Sequence, residues 1–533
     1  MIRQEIKSLI EKSIKELQRE KVFPEFELPE IRVEKPEKEG FGDYSANIAM
    51  IIAKEIKKEP MEIGESLKSK ISNLKSSIFE KIEVAKPGFI NFFLSKEFLQ
   101  KEVAEILKKG ENYGELKIGK NKKVQIEFIS ANPTGPLTIG NSRGGPFGDV
   151  LGNVLRKVGF KVEKAYYIND YGMQILTLGH SVLKDSQAQY RGDYIDYLAR
   201  IIKEKDPYKA GERAAKIIIN KMIKKTIDRM GIKYDEWISE TKLHKLSFVD
   251  KILKILKKKN LIYQKGGALW FKSSKFGDQR DRVLVKKDGW KTYLAGDLSL
   301  HYYKFKKKKF DKVINIWGAD HYGDVPGLQA GVAALGFKGK LDILLLQFVT
   351  IFEKGEKKKM SKRKGIFVTM DELLNQVGLD AVRFFFLQKS ADTHLNFDLS
   401  LAKEESSKNP VYYIQYAHAR ICSIIRKSKI KNPKLKIKIK NLKLLKHPSE
   451  LDLIKQLIRF PEIIEDTAKD YQVQRLPQYA IDLATVFHQF YRDCKVLTEA
   501  QPLLEARLGL ILATKNILKN ILNLMGISAP EKM

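Results

Sequence analysis

Two lysines three residues apart, Lys359 and Lys362, stand in the glycine-bounded run GEKKKMSKRKG at 355–365, after an apolar, strand-like stretch ending near Ile351. Such a loop is suited to neutralising charge on a phosphate that is being transferred. A second run, ANPTGPLTIGNSRG at 131–144, follows the strand-like VQIEFIS and precedes the helix-like FGDVLGNVLRKVGF. It contains neither G-x-G-x-x-G nor G-K-[ST], yet it joins a strand to a helix start, where unpaired N–H groups attract phosphate. Gly135 and Gly140 allow close backbone approach, Pro133 and Pro136 stiffen the turn, and Thr138 and Asn141 share one side of a first helical turn. A purely structural turn would need the same residues, so this run gains its meaning from the lysine loop. Glu127 is a third feature: near the end of an apolar strand an unpaired carboxylate is expensive, and a cationic ligand would relieve it. A solvent-facing strand residue is the alternative.

The elements that must hold these groups are readable from periodicity. From 122 to about 400, strand-like VQIEFIS, KVEKAYYIND, GALWF, RVLVK, DKVINIWGADH and LDILLLQFVTIF alternate with helical segments, the longest from about 173 to 260. Continuous apolar strands between helices predict a parallel sheet covered on both faces, with ligands beyond the carboxyl ends of its strands. Residues 1 to about 108 read as a small α+β unit, opened by a helix with Ile2, Ile6, Leu9, Ile10, Ile14 and Leu17 at helical spacing. From about 401 the pattern is almost wholly helical and predicts a bundle, interrupted at 427–446 by a basic insert that reads as a solvated loop.

Composition narrows the class. At 533 residues with 43% hydrophobic content, two to four domains are expected. A net charge of +33 points to a polyanionic partner, a nucleic acid, although a general preference for lysine would produce part of it. Cys422 and Cys494 are too few and too far apart for a disulfide framework or a cysteine zinc site, so a reducing, cytoplasmic setting and no zinc are expected. No apolar run is long enough to span a bilayer.

With these residues in place, the chain resembles the class I aminoacyl-tRNA synthetases, and within them the arginyl family. T-I-G-N at 138–141 stands where that class has H-[IV]-G-H, and K-M-S-K at 359–362 is its second signature. GDYSANIAM, YYINDYGMQI, DRVLVKKDGWKTYLAGDLSLH, INIWGADHYG, DAVRFFFLQKSADTHLNFDL, NPVYYIQYAHARICSI and the closing MGISAPEKM extend the likeness over essentially the whole chain. The departure is that Thr138 and Asn141 replace both signature histidines; they can hydrogen-bond to phosphate but cannot carry a histidine's positive charge.

The resemblance implies a Rossmann-like catalytic domain at 109–400 with a helical insertion at about 173–260, an α+β tRNA-binding domain at 1–108 and an α-helical anticodon-binding domain at 401–533. It implies ATP-dependent ligation of L-arginine to tRNA(Arg) by a chain expected to act as a monomer, with Mg²⁺ accompanying ATP. Lys359, Lys362, Thr138 and Asn141 are then expected to be catalytic; Gly140, Asp320, His321, Met360 and Ser361 join them around ATP. Glu127, Ser130, Asn132, Tyr293 and Asp297 are expected around arginine, with Asp170 either among them or only a helix cap. Asp43, Tyr44 and Asn47 are expected to meet the tRNA elbow, and Tyr412, Tyr416, His418, Arg420, His488 and Tyr491 the anticodon, with core packing as the alternative for each aromatic. The missing histidines also admit a tRNA-binding relative without catalysis, and the class admits another amino acid.

Overall fold

The structure is a computed structural model that describes residues 1–38, 40–74, 77–357, 369–428 and 439–533. In the first unit, β1 (Val33–Glu34), β2 (Tyr44–Ala46), β3 (Phe79–Ala85) and β4 (Phe89–Leu94) form an antiparallel sheet in the order β1-β2-β4-β3. The helix Ile2–Arg19 buries Ile6, Ile10, Ile14 and Leu17, the stripe its spacing predicts.

In the second unit, β5 (Lys123–Glu127), β6 (Lys161–Ile168) and β7 (Glu236–Ser239) are followed by β8 (Ile262–Lys265), β9 (Ala268–Phe271) and β10 (Arg282–Val285), then β11 (Lys312–Gly318) and β12 (Leu341–Leu346). Five of these make one parallel sheet in the order β12-β11-β5-β6-β7. The chain winds outward from β5 in both directions, so the strand order reverses between β5 and β11. In such sheets that reversal opens a crevice at the carboxyl ends, where ligands bind.

Three details depart from the periodicity reading. Within the stretch 173–260, expected to be helical, β7 supplies an edge strand of the sheet. GALWF and RVLVK lie in a separate antiparallel sheet of β8, β9 and β10, not in the parallel one. LDILLLQFVTIF is two strands: after β12 the chain turns at Gln347 and Phe348 into β13 (Val349–Glu353), which pairs with β14 (Glu356–Lys357) and β15 (Leu395–Asp398). Strand length, residue type and alternation do not encode which sheet a strand joins, so only tertiary pairing decides these cases.

The helix Gly144–Lys157 lies against β5, and the approach is so close that a Cβ at Gly148 would sit 2.4 Å from Cγ of Phe128. The third unit is a bundle of the helices Pro410–Lys427, Pro448–Ile458, Phe460–Asp470, Arg475–Asp493 and Leu503–Met525. It is tied to the sheet through a buried charge cluster. Asp149, on the helix under β5, pairs with Lys164 of β6 at 2.6 Å and with Arg383, and all three side chains are inaccessible. Arg383 also donates to the carbonyls of Met525 at 2.6 Å and Met230 at 2.9 Å. Gly526 ends the last helix in the left-handed region, and any Cβ there would lie 2.5 Å from the Arg383 guanidinium. The first unit docks on the bundle through Arg3, which pairs with Glu465 at 2.7 Å and Asp466 at 2.8 Å. No helix among the described residues is long and apolar enough to cross a membrane.

Candidate active site

β5 ends in backbone that its residues normally avoid: Ile129 and Ser130 have φ of 64° and 41°. Left-handed backbone in such residues costs about 1–2 kcal/mol each and persists only where neighbours enforce it. Three tyrosine hydroxyls do so, Tyr234 donating to Phe128 O, Tyr166 to Ala131 O and Tyr194 to Thr134 O, each at 2.9 Å. Burial pushes Tyr194 up to about 12, so it remains a neutral donor. The turn folds Ser130 back over the strand end, where its hydroxyl donates to Glu127 Oε1 at 3.4 Å and accepts from the Tyr167 N–H at 3.0 Å. Asn132 stays exposed and accepts from Asn169 at 3.2 Å.

Beyond this turn lies an open cleft of about 530 Å³ at the strand-order reversal. That volume lies within the range of small-molecule sites. Thr138, Gly140 and Asn141 line one side, and Trp317, Asp320 and His321, at the end of β11, line the other. Thr138 caps the short helix Ile139–Ser142, its hydroxyl accepting from the Asn141 N–H at 3.4 Å, and Gly140 has open space around it. Asp320 and His321 are exposed, with His321 Nδ1 3.5 Å from Asp324. Arg143, which the periodicity reading passed over, is buried and donates to the carbonyls of Gln347 and Ser390, stapling this helix start to the turn before β13. Burial pulls its guanidinium down to about 10, still protonated at neutral pH.

Lys359, Met360, Ser361 and Lys362 lie outside the described residues. The chain on either side is placed: β14 ends at Lys357, and Thr369 forms an antiparallel bridge with Thr138. The Met370 N–H also donates to Leu137 O at 2.9 Å, and a capping box between Thr369 and Glu372 starts the next helix there. The described chain thus resumes, at Thr369, beside the residue that opens the T-I-G-N turn.

The expected arginine contacts converge from two elements. Glu127 is buried at the end of β5, and Asp297 sits one turn after Tyr293 on the helix Tyr293–Tyr302. Glu127 is not solvent-facing and has a partner within the chain: Lys304 Nζ lies 2.6 Å from its Oε2. Asp297 has no hydrogen-bond partner for its carboxylate among the described residues. Burial, and then repulsion from Glu127, Glu240 and Asp324, pushes its carboxyl up to about 8, with Lys304 opposing. Glu240 was not picked out from the sequence; its Oε2 is buried without a partner. Tyr293 is 75% exposed and lines a second cleft with Glu240, Trp290 and Met173. The N-cap of the helix that follows is Gly172 and not Asp170, which accepts from Ser239 Oγ at 2.7 Å and the Thr241 N–H at 2.9 Å, joining the ends of β6 and β7.

The expected tRNA residues divide. Tyr412 and Tyr416 stack with rings 6.4 Å apart, His488 stacks on Tyr416 at 6.0 Å, and the Arg420 guanidinium lies 4.8 Å from the Tyr491 ring. These five form one aromatic and cationic patch across the helices Pro410–Lys427 and Arg475–Asp493. His418 is not part of it, being buried with Nδ1 2.8 Å from Pro530 O, where burial lowers its pKa. Tyr44 is also buried, its hydroxyl donating to Glu462 at 3.2 Å, and Asp43 accepts from the Leu94 N–H at 2.8 Å and pairs with Lys455 at 2.9 Å. Both serve the docking of the first unit on the bundle; an alternating strand pattern could not reveal that packing. Asn47 lines a groove with Phe41, Phe89 and Asn91, and the side-chain oxygens of both asparagines are buried without partners.

Comparison with known proteins covers the chain end to end. The arginyl tRNA synthetase N terminal domain matches residues 4–94, the tRNA synthetases class I (R) catalytic domain 102–421, and the DALR anticodon binding domain 414–533. An arginine--tRNA ligase of Caldanaerobacter subterraneus subsp. tengcongensis is 42% identical across 100% of this chain and 99% of its own. That of Bacillus subtilis is 42% identical across 96% of this chain and 95% of its own. Among solved structures, the Thermus thermophilus arginyl-tRNA synthetase superposes with a TM-score of 0.79 at 21% identity, each chain fully covered.

Proposed function

The chain belongs to the arginyl-tRNA synthetase family of class I, and from that premise we propose how its residues divide the work of ligating L-arginine to tRNA(Arg). The arginine carboxylate attacks the α-phosphate of ATP, releasing pyrophosphate and forming arginyl-adenylate. The terminal ribose hydroxyl of the tRNA then attacks the adenylate carbonyl, releasing AMP. The observation that supports the assignment is the cleft at the strand-order reversal, lined by Thr138, Gly140 and Asn141, with Thr369 bridged to Thr138.

Thr138, Gly140 and Asn141 hold adenosine and phosphate at the helix start, with Asp320 and His321 on the opposite wall. Lys359 and Lys362, with Met360 and Ser361 between them, meet the charge that develops on pyrophosphate. That charge falls to lysines because Thr138 and Asn141 stay neutral. Magnesium is assigned to the phosphates of ATP: among the described residues no three histidine, cysteine or carboxylate side chains converge as a cage, and no step above depends on one. Glu127 and Asp297 accept from the guanidinium, Tyr293 covers it, and Ser130 and Asn132 face the amino-acid backbone.

The patch of Tyr412, Tyr416, Arg420, His488 and Tyr491 is assigned to anticodon bases, which stack on aromatic and guanidinium planes. The groove at Asn47, with unpartnered amide oxygens and exposed Phe41 and Phe89, is assigned to the tRNA elbow. No observation favours a non-catalytic protein.

Lys362→Ala is expected to lower the rate of ATP–pyrophosphate exchange by about 100-fold, the scale of losing one group that stabilises transition-state charge. The arginine KM should change by less than about threefold. An unchanged exchange rate would remove Lys362 from catalysis.

A further inference from the structure

Asp297, His301 and Lys304 stand at i, i+4 and i+7 along the helix Tyr293–Tyr302 and the π-helical turn Tyr303–Lys307 that continues it. That spacing puts them on one face, here turned toward β5 and β11. A continuous hydrogen-bonded chain runs along it. His301 Nδ1 lies 2.7 Å from the Asp297 carbonyl and Nε2 lies 2.9 Å from Asn315 Nδ2. Lys304 Nζ lies 3.5 Å from Asn315 Oδ1 and 2.6 Å from Glu127 Oε2. Burial, and then the Lys304 charge, lowers His301 to about 3, so it is neutral: Nδ1–H donates to the carbonyl and Nε2 accepts from the amide. The Asn315 oxygen is thereby left facing the ammonium. Donors and acceptors match along the whole path.

A buried ion pair seldom stabilises a fold more than apolar side chains of the same volume would, so packing alone gives weak reason for a fully buried lysine. Its position gives a better one. Glu127, Asp297 and Glu240 crowd negative charge around a site that must take one guanidinium. We propose that Lys304 is a positioning residue of this site, its ammonium holding one oxygen of Glu127 so that the other oxygen, with Asp297, is presented to the substrate guanidinium. Among the described residues Oε1 has one hydrogen-bond partner, the Ser130 hydroxyl at 3.4 Å. Lys304 also offsets one of the three carboxylate charges gathered there. The inference rests on the reading that Glu127 and Asp297 bind arginine.

The test is ATP–pyrophosphate exchange by the full chain with total tRNA present, with KM measured separately for arginine and ATP. Lys304→Met should raise the arginine KM by about 10- to 100-fold, the range for losing a charge-assisted hydrogen bond, and change the ATP KM by less than about twofold. Lys304→Arg should keep the arginine KM within about fivefold of the wild type. In a Glu127→Gln background, adding Lys304→Met should change the arginine KM by less than about threefold, because no carboxylate remains to be held; this neutral pair also avoids stranding a buried charge. The proposal is overturned if Lys304→Met leaves the arginine KM unchanged, raises both KM values alike, or acts undiminished in the Glu127→Gln background. If Glu127→Gln alone leaves the arginine KM unchanged, the arginine-site reading itself falls, and the inference with it.

Discussion

Asp297→Ala is expected to raise the arginine KM about 100-fold or more and to leave the ATP KM within about twofold. Truncating one partner of a buried, hydrogen-bonded charge pair costs about 2–5 kcal/mol, and each 1.4 kcal/mol is about tenfold. Among the described residues the Asp297 carboxylate has no hydrogen-bond partner, so the guanidinium is its natural counter-ion. The same residue gives arginine binding a pH dependence. In the free protein its carboxyl stands near 8 against an ordinary 3.8, raised by burial and by Glu127, Glu240 and Asp324. The folded chain therefore holds this proton more tightly than the unfolded chain does. The stability it contributes is full below about pH 3.8 and is lost as pH rises through about 8. Arginine binds the ionised form, so its KM should fall as pH rises between roughly 6.5 and 8.5, and Asp297→Asn should flatten that slope. Equal arginine affinity in wild type and Asp297→Ala would remove the residue from the site.

Asp149→Ala should lower stability by about 3–5 kcal/mol, the penalty for leaving buried charges without their partner. Lys164 and Arg383 would both be stranded, and Arg383 holds the carbonyl that ends the last helix of the bundle. Burial alone would raise the Asp149 carboxyl, but Arg383 and Lys164 outweigh it and hold the group below the usual carboxylate range. The stabilisation it supplies is therefore present at neutral pH and is lost as pH falls through that lowered value. Urea denaturation followed by circular dichroism should show the first transition at a lower midpoint, and the triple change Asp149→Leu, Lys164→Met, Arg383→Met should recover most of it. An unshifted midpoint in Asp149→Ala would mean that the cluster does not tie the bundle to the sheet.

The parts of this molecule that were legible in its sequence are the local ones. The T-I-G-N turn could be read because a strand, a tight turn and a capped helix start are each written in adjacent residues. The bundle helices could be read because their apolar steps repeat every three or four residues. β7 could not be, because four residues between helices carry no distinct period, and their strand state comes from pairing with β6. Lys304 was hidden for a compositional reason: in KFKKKKF, within a chain of 98 lysines and arginines, nothing marks the one lysine that points inward. Tyr44 and His418 misled in the opposite direction, since their neighbours suit a ligand surface while their burial depends on units distant in sequence. Tyr166, Tyr194 and Tyr234, which hold the strained turn after β5, lie 35 to 106 residues from the carbonyls they grip and carry no local signal.

The most direct measurement is aminoacylation of total tRNA by the purified chain with ATP, each of the twenty amino acids being supplied in turn. Arginine alone should become esterified, in an ATP-dependent reaction that the Asp297→Ala variant supports poorly at low arginine concentration. Charging with a different amino acid, or tRNA binding without any charging, would contradict the assignment of this cleft as an arginine-activating site.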